Sequence, residues 1–262
     1  MLRDIPYAVD AMANGARHTL DVCQPRSATA APIVVFFYGG GWRSGQKETY
    51  RYVAKALARR GYVAVLPDYR VYPDVKYPDF LDDGAHAVRW ARDNATRLGG
   101  DAGKIFLMGH SAGAHIAAML SLDARWLAKV GMSPARDVAG FIGLAGPYDF
   151  LPLHDDIYRT IFGGDRPETQ PISHVAPGAP PALLLTGRND AIVDPGNSTR
   201  LAERLRAAGN DATDVGYPHV GHFFIVAALA PVFRLFIPVL RDTDAFIERV
   251  LRLPRLAERV AS

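Results

Sequence analysis

The sequence predicts an α/β fold, a mostly parallel central sheet with helices on both faces. Three observations predict it. Short unbroken apolar runs recur along the chain, stretches with helical spacing lie between them, and glycine or proline marks several of the changeovers. Unbroken apolar strands are those covered on both faces, and parallel neighbours need crossover connections, which the intervening helices supply.

Taken in order, the first such run is Ile33 to Phe37, which ends in Gly39, Gly40 and Gly41. Glu48 to Arg60 then has helical spacing through Tyr52, Val53, Ala56 and Leu57, with Gly61 as its stop. Tyr62 to Leu66 returns to strand. Pro73 and Pro78 mark a loop before a helix expected over Pro78 to Leu98, closed by Gly99 and Gly100. Lys104 to Met108 is the next strand. After Ser111 comes a helix rich in small residues, Ala112, Gly113, Ala114, Ala117 and Ala118, able to pack closely on a sheet. Phe141 to Ala145 and Ala182 to Thr186 are two further buried strands, and a helix over Thr199 to Ala208 leads to a last strand, Ala212 to Tyr217. Tyr148 to Pro180, with five prolines and an adjacent glycine pair, is expected to be an irregular insertion or cap over the sheet edge.

The 262 residues fit one large domain, residues 1–262. At 49% hydrophobic and 22% charged, the chain is neither disordered nor collagen-like nor a coiled coil. Thirty Lys and Arg against 27 Asp and Glu leave a net charge of only +3, with no clustering, so a nucleic-acid partner is not expected. The lone Cys23 cannot form an internal disulfide, which points to a reducing compartment and a cytoplasmic location. Met1 to Pro6 carries no apolar core of a secretory signal. Phe223 to Leu240 holds a single charge, Arg234, but Pro231 and Pro238 interrupt it. It is expected to form two short helices rather than a membrane span, packed in the core or lining a pocket.

The chemistry centres on Gly109-His110-Ser111-Ala112-Gly113, set between the strand Lys104 to Met108 and the small-residue helix. Small residues at 109 and 113 allow a sharp turn that projects the Ser111 hydroxyl at the carboxyl end of the sheet, beside a helix N-terminus. A serine hydroxyl needs a base, and the base an orienting carboxylate. His219 and His222, in the loop after the last strand, both qualify as base by position. For the acid, Asp190 lies nearer the carboxyl end of the strand Ala182 to Thr186 than Asp194, where such folds collect catalytic groups. Asp194 precedes Pro195 and is expected to cap the following helix.

Acyl transfer also needs preorganised N–H donors for the developing oxyanion. Tyr38-Gly39-Gly40-Gly41-Trp42 is a turn that can expose amides, and those of Gly40 and Gly41 would join that of Ala112. No Gly-Lys-Ser/Thr follows, so a phosphate-binding loop is not indicated. His110 and His115 are expected to pack or hydrogen-bond near the site. His18, His86, His154 and His174 show no metal-ligand spacing, so neither metal nor cofactor is implied.

With these residues in view, the sequence resembles the α/β-hydrolase superfamily, and within it the small carboxylesterases of the hormone-sensitive-lipase and kynurenine-formamidase type. The resemblance runs through Leu20-Asp21-Val22, Gly39-Gly40-Gly41-Trp42, Asp68-Tyr69-Arg70, the 109–113 motif, Gly187 to Asp190, and Gly221-His222. It selects His222 as the base. It implies a metal-free serine hydrolase that forms an acyl-enzyme, acting on a small-molecule ester or, alternatively, an arylformamide, with a homodimer left open. A hydrolase-like binding protein is the reading from another class. In one respect the chain departs from its relatives: Tyr38 stands where they carry a histidine before the glycines. Asp68-Tyr69-Arg70 is expected to brace that loop.

Overall fold

The computed structural model describes residues 1–8 and 17–253. Its centre is one eight-stranded sheet made of β1 (Leu2–Pro6), β2 (Thr19–Cys23), β3 (Ala31–Phe37), β4 (Val63–Pro67), β5 (Gly100–His110), β6 (Gly140–Leu144), β7 (Ala182–Gly187) and β8 (Ala212–Tyr217). The spatial order is β1-β2-β4-β3-β5-β6-β7-β8. The strands from β4 to β8 along the sheet are parallel, while β1 and β2 form an antiparallel edge. β3, β4, β6 and β7 are buried along nearly their whole length, as two-sided coverage requires.

The helices α1 (Arg51–Arg59), α2 (Asp79–Asp93), α3 (Ala112–Leu122), α4 (Ala124–Ala128), α5 (Pro134–Asp137), α6 (Asp156–Phe162), α7 (Gly196–Ala207), α8 (His222–Ala227) and α9 (Val239–Arg252) connect and cover the strands. α3 runs directly from the end of β5, at the middle of the sheet, and is buried almost throughout. Every Cβ that Gly113 lacks matters here. A methyl group at Gly113 would stand 2.1 Å from the Phe37 carbonyl oxygen, and one at Gly109 would stand 2.2 Å from that of Gly113. The glycines thus let helix, β3 and turn meet backbone to backbone.

Two expectations are corrected. Residues 148–180 are not wholly irregular, because they carry α6, whose Ile161 and Phe162 are buried in an aromatic cluster around Trp42. The apolar stretch 223–240 is not two short helices. It forms α8, a run of turns and the start of α9, since Pro231 and Pro238 break the helical hydrogen bonding between them. Nor is that stretch simply core: Phe223, Phe224, Val232, Leu235 and Phe236 are exposed. Among the described residues no helix is long and apolar enough to cross a membrane.

Candidate active site

Ser111 ends β5 and opens α3 with φ 55° and ψ −121°, a backbone conformation that side chains rarely adopt. The turn is pinned on both sides. The Ser111 amide donates to the Leu144 carbonyl at 2.9 Å, and its carbonyl accepts from Ala114 and His115 at 2.9 and 3.1 Å. The strained geometry is therefore fixed by β6 and the first turn of α3, and it leaves the hydroxyl facing the base.

Of the two candidate bases, His222 is the one brought to Ser111. Its Nε2 lies 2.9 Å from Ser111 Oγ and its Nδ1 2.7 Å from Asp190 Oδ2, with all three side chains buried. Asp190 follows the end of β7, and its other oxygen, Oδ1, accepts the amides of Ile192 and Val193, each at 2.9 Å. Burial alone would raise the Asp190 carboxyl. The hydrogen bond from His222 and those two amides outweigh it and hold the group below its ordinary value, so the carboxylate stays charged. His219, the other candidate, is exposed, has φ 60°, and is not brought to Ser111. Asp194 is exposed too. It accepts the Gly196 amide at 2.9 Å at the start of α7 and pairs with Arg200 at 3.0 Å.

The loop carrying His222 docks on the end of β7 through its backbone. Arg188 donates its amide to Tyr217 at 2.9 Å and Asn189 to Val220 at 3.0 Å. A methyl group at Gly187 would stand 2.2 Å from the Val220 carbonyl oxygen, so the first residue of the Gly-x-x-Asp motif sets how closely the loop approaches. His110 adds a tie the sequence does not display: its Nε2 donates to the His222 carbonyl at 3.0 Å. Burial pulls the His110 imidazole down to about 3, so it stays neutral beside the base.

Across the site, the glycine loop passes against the nucleophile, where a Cβ on Gly39 would come within 3.1 Å of Ser111 Cβ. Gly40 and Gly41 take positive φ, 144° and 60°, and the Gly40 carbonyl is turned inward to accept the amides of Arg43 and Ser44. Ala112 is the first residue of α3, where amides have no partner within the helix. Among the described residues no acceptor pairs with the amides of Gly40, Gly41 or Ala112.

Tyr38 is held in a stack of buried rings: its centroid lies 4.6 Å from that of Tyr69 and 5.8 Å from that of Tyr50. The Tyr69 hydroxyl donates to the Tyr38 carbonyl at 2.7 Å, immediately before the glycines. Of the expected braces, Tyr69 acts on the loop directly, and Asp68 accepts the Lys47 amide at 2.8 Å just beyond it. Arg70 does not. Its guanidinium pairs with Asp83 of α2 at 2.7 Å, well away from the glycines in sequence.

A cavity of about 370 Å³ opens beside Ser111. Trp42, Phe150, Leu153 and Tyr158 give it an apolar wall, and Asp149, Asp194 and Arg200 close it with an ion-pair cluster. Asn197 shapes that wall by accepting the amides of Tyr148 and Asp149, both at 2.8 Å. His115 lies beneath, buried edge-on against Trp42, its Nε2 bonded to the Thr169 carbonyl at 2.8 Å. Burial lowers it to about 4. Neither Asn197 nor Tyr50 of the tyrosine stack is marked by any motif, because their partners come from distant loops. Among the described residues no three His, Cys, Asp or Glu side chains group as a metal site.

Comparison with known proteins supplies the context. The BD-FAE family model matches residues 20–205. Carboxylesterase NlhH of Mycobacterium tuberculosis is 42% identical over 229 residues, spanning 76% of this chain and 68% of its own. Esterase LipC of the same species is 30% identical over 224 residues, spanning 74% of this chain and 53% of its own. The chain spans about half the length of several curated relatives it matches. Among solved structures, Thermogutta terrifontis esterase 2 phosphonylated by sarin superposes with a TM-score of 0.78 at 28% identity, covering 88% of this chain and 89% of that one.

Proposed function

Since the chain belongs to the BD-FAE family of α/β hydrolases, we propose that it is a serine carboxylic-ester hydrolase working through an acyl-enzyme. The observation that carries this reading is the continuous relay Ser111 Oγ to His222 Nε2 at 2.9 Å and His222 Nδ1 to Asp190 at 2.7 Å. Ser111 attacks the ester carbonyl carbon while His222 takes the hydroxyl proton. The Asp190 carboxylate stabilises the imidazolium and keeps it aligned. Negative charge gathers on the former carbonyl oxygen, which accepts the amides of Gly40, Gly41 and Ala112 at the positive end of α3.

Collapse of the tetrahedral species breaks the bond to the leaving alcohol, and His222 returns the proton to it. Water, deprotonated by His222, then attacks the acyl-Ser111 ester, and His222 returns that proton to Ser111 Oγ as the carboxylic acid leaves. Every group in this sequence comes from the chain itself. A site of this volume with an apolar wall suits small-molecule esters. The names of the relatives, esterase and carboxylesterase, support the same substrate class.

Replacing Ser111 by Ala is expected to lower hydrolysis of p-nitrophenyl acetate by about 10³–10⁶-fold, and to abolish labelling by a fluorophosphonate probe. Unchanged turnover refutes the assignment of the nucleophile. A wild-type chain that takes no label is a binding protein instead. Side-by-side rates on short acyl esters and on N-formylkynurenine separate ester from formamide hydrolysis.

A further inference from the structure

The apolar segment that follows the base takes no part in the cavity or the relay, yet it holds most of the large apolar side chains that the fold leaves in water. Phe223 is 67% exposed, Val232 71%, Leu235 89% and Phe236 80%. These groups belong to one continuous stretch. The Phe223 ring lies 5.3 Å from that of His222, and the next residue, Phe224, meets Phe233 at 6.0 Å, tying α8 to the turns between Pro231 and Pro238. Isolated exposed apolar residues are ordinary, whereas a cluster on one segment marks a contact surface.

The segment itself carries charge of one sign only. Residues 223–238 contain no carboxylate, and their one charged group, Arg234, spends its Nε on the Leu229 carbonyl at 3.1 Å. Burial first, and then the guanidinium groups of Arg59 and Arg60, pull Arg234 below its ordinary value. Arg60 is paired with Asp244. Among the described residues no carboxylate pairs with Arg59 or with Lys55, which sit four residues apart on one exposed face of α1. The surface therefore combines exposed apolar side chains with Arg234 in the same segment and the unpaired Arg59 close enough to act on it.

We infer that segment 223–236, with Arg234 and Arg59 of α1, is an interfacial anchor that seats the protein on an anionic lipid surface. Leu235, Phe236 and Val232 enter the boundary between headgroups and acyl chains, while the cations remain among the lipid phosphates. This is contact from one side only, in keeping with the lack of a membrane-crossing helix among the described residues. A second copy of the chain fits the same face less well. A two-fold contact packs this face, whose own charge is only positive, against a second copy of itself.

The test is cosedimentation of the full chain with vesicles of phosphatidylcholine alone and of phosphatidylcholine mixed with phosphatidylglycerol, at low and high salt. Binding is expected to the anionic vesicles and to weaken as salt is added. The double variant Leu235→Ser and Phe236→Ser lowers the partition coefficient on the order of 10–100-fold, and Arg234→Gln lowers it about fivefold. Both variants hydrolyse p-nitrophenyl acetate at the wild-type rate, which reports an intact fold. Binding is expected to be the same in the Ser111→Ala protein, so failure of the ester reading leaves this result standing, and the reverse. The anchor is overturned if wild type ignores both vesicle types, if the double variant binds as wild type does, or if sedimentation velocity finds a dimer that the double variant abolishes.

Discussion

Two loops close on Ser111 from opposite sides, and different physics holds each. The glycine loop at 38–46 is fastened by side chains: the tyrosine stack behind Tyr38, the hydroxyl of Tyr69, and Trp42 set among Phe150, Phe162 and His115. The loop at 218–222 is fastened by main chain, through the Arg188 and Asn189 amides, the space left at Gly187, and the carbonyl that His110 engages. Its side-chain tethers are the bonds of His222 to Asp190 and to Ser111, and the bond that His110 donates to the His222 carbonyl. The proposed oxyanion donors thus rest on packing, and the proposed base rests on backbone geometry, one carboxylate and the His110 imidazole. Each side is vulnerable to a different kind of substitution.

Cutting the bond from His222 to Asp190 has the largest expected effect on this side. Asp190→Asn lowers kcat by about 10⁴-fold, by analogy with serine hydrolases in which the same exchange leaves the imidazole in the wrong tautomer, while the melting temperature moves little. Steady-state kinetics with a calorimetric scan checks both halves.

Acid distinguishes the sides through stability. His110 and His115 lie on the nucleophile side, with folded values of about 3 and 4 against an ordinary 6.5. Below pH 6.5 the unfolded chain takes up protons that the fold refuses, so stability is lost as pH falls from there, by on the order of a few kcal/mol per group at pH 4. Asp190 acts in the opposite sense of charge. Its lowered value contributes stability above its ordinary 3.8, lost only as pH falls further. Urea midpoints measured across this range are expected to fall in two stages, and His115→Gln makes the first shallower. A single fall beginning below pH 4 contradicts the ordering.

Gly187→Ala tests the backbone side, since its methyl displaces the Val220 carbonyl. A shift of the base by about 1 Å costs on the order of 10²-fold in kcat. A variant with wild-type turnover shows that the loop yields without moving His222. The smallest effect belongs to the packed side. Tyr69→Phe removes one hydrogen bond, worth about 1 kcal/mol, and is expected to lower kcat by about fivefold with KM unchanged. A change in KM alone would move Tyr69 from loop positioning to substrate binding.

What could be read from the sequence follows the same division. β3, β4, β6 and β7 are legible because strands buried on both faces are apolar in nearly every position, β5 through its inner stretch Ile105 to Met108, and Ser111 because its motif comes with strand, turn and helix around it. Asp190 is separated from Asp194 by its place at the strand end. The antiparallel edge was not legible: β1 is mostly exposed, and β2 buries Asp21 against Arg51, a pattern with neither period. The tyrosine stack joins positions 38, 50 and 69, which meet only when the loops fold. Hydropathy also misjudged 223–240, because an apolar run tells of solubility in oil and nothing of what covers it.

Ser111 sits where glycine alone rests without strain, and glycine there has no hydroxyl. Heat tolerance and turnover are consequently opposed at one position. Selection acting there for endurance alone leads toward a sturdier protein that does no chemistry, so a hotter-working descendant has to change somewhere else.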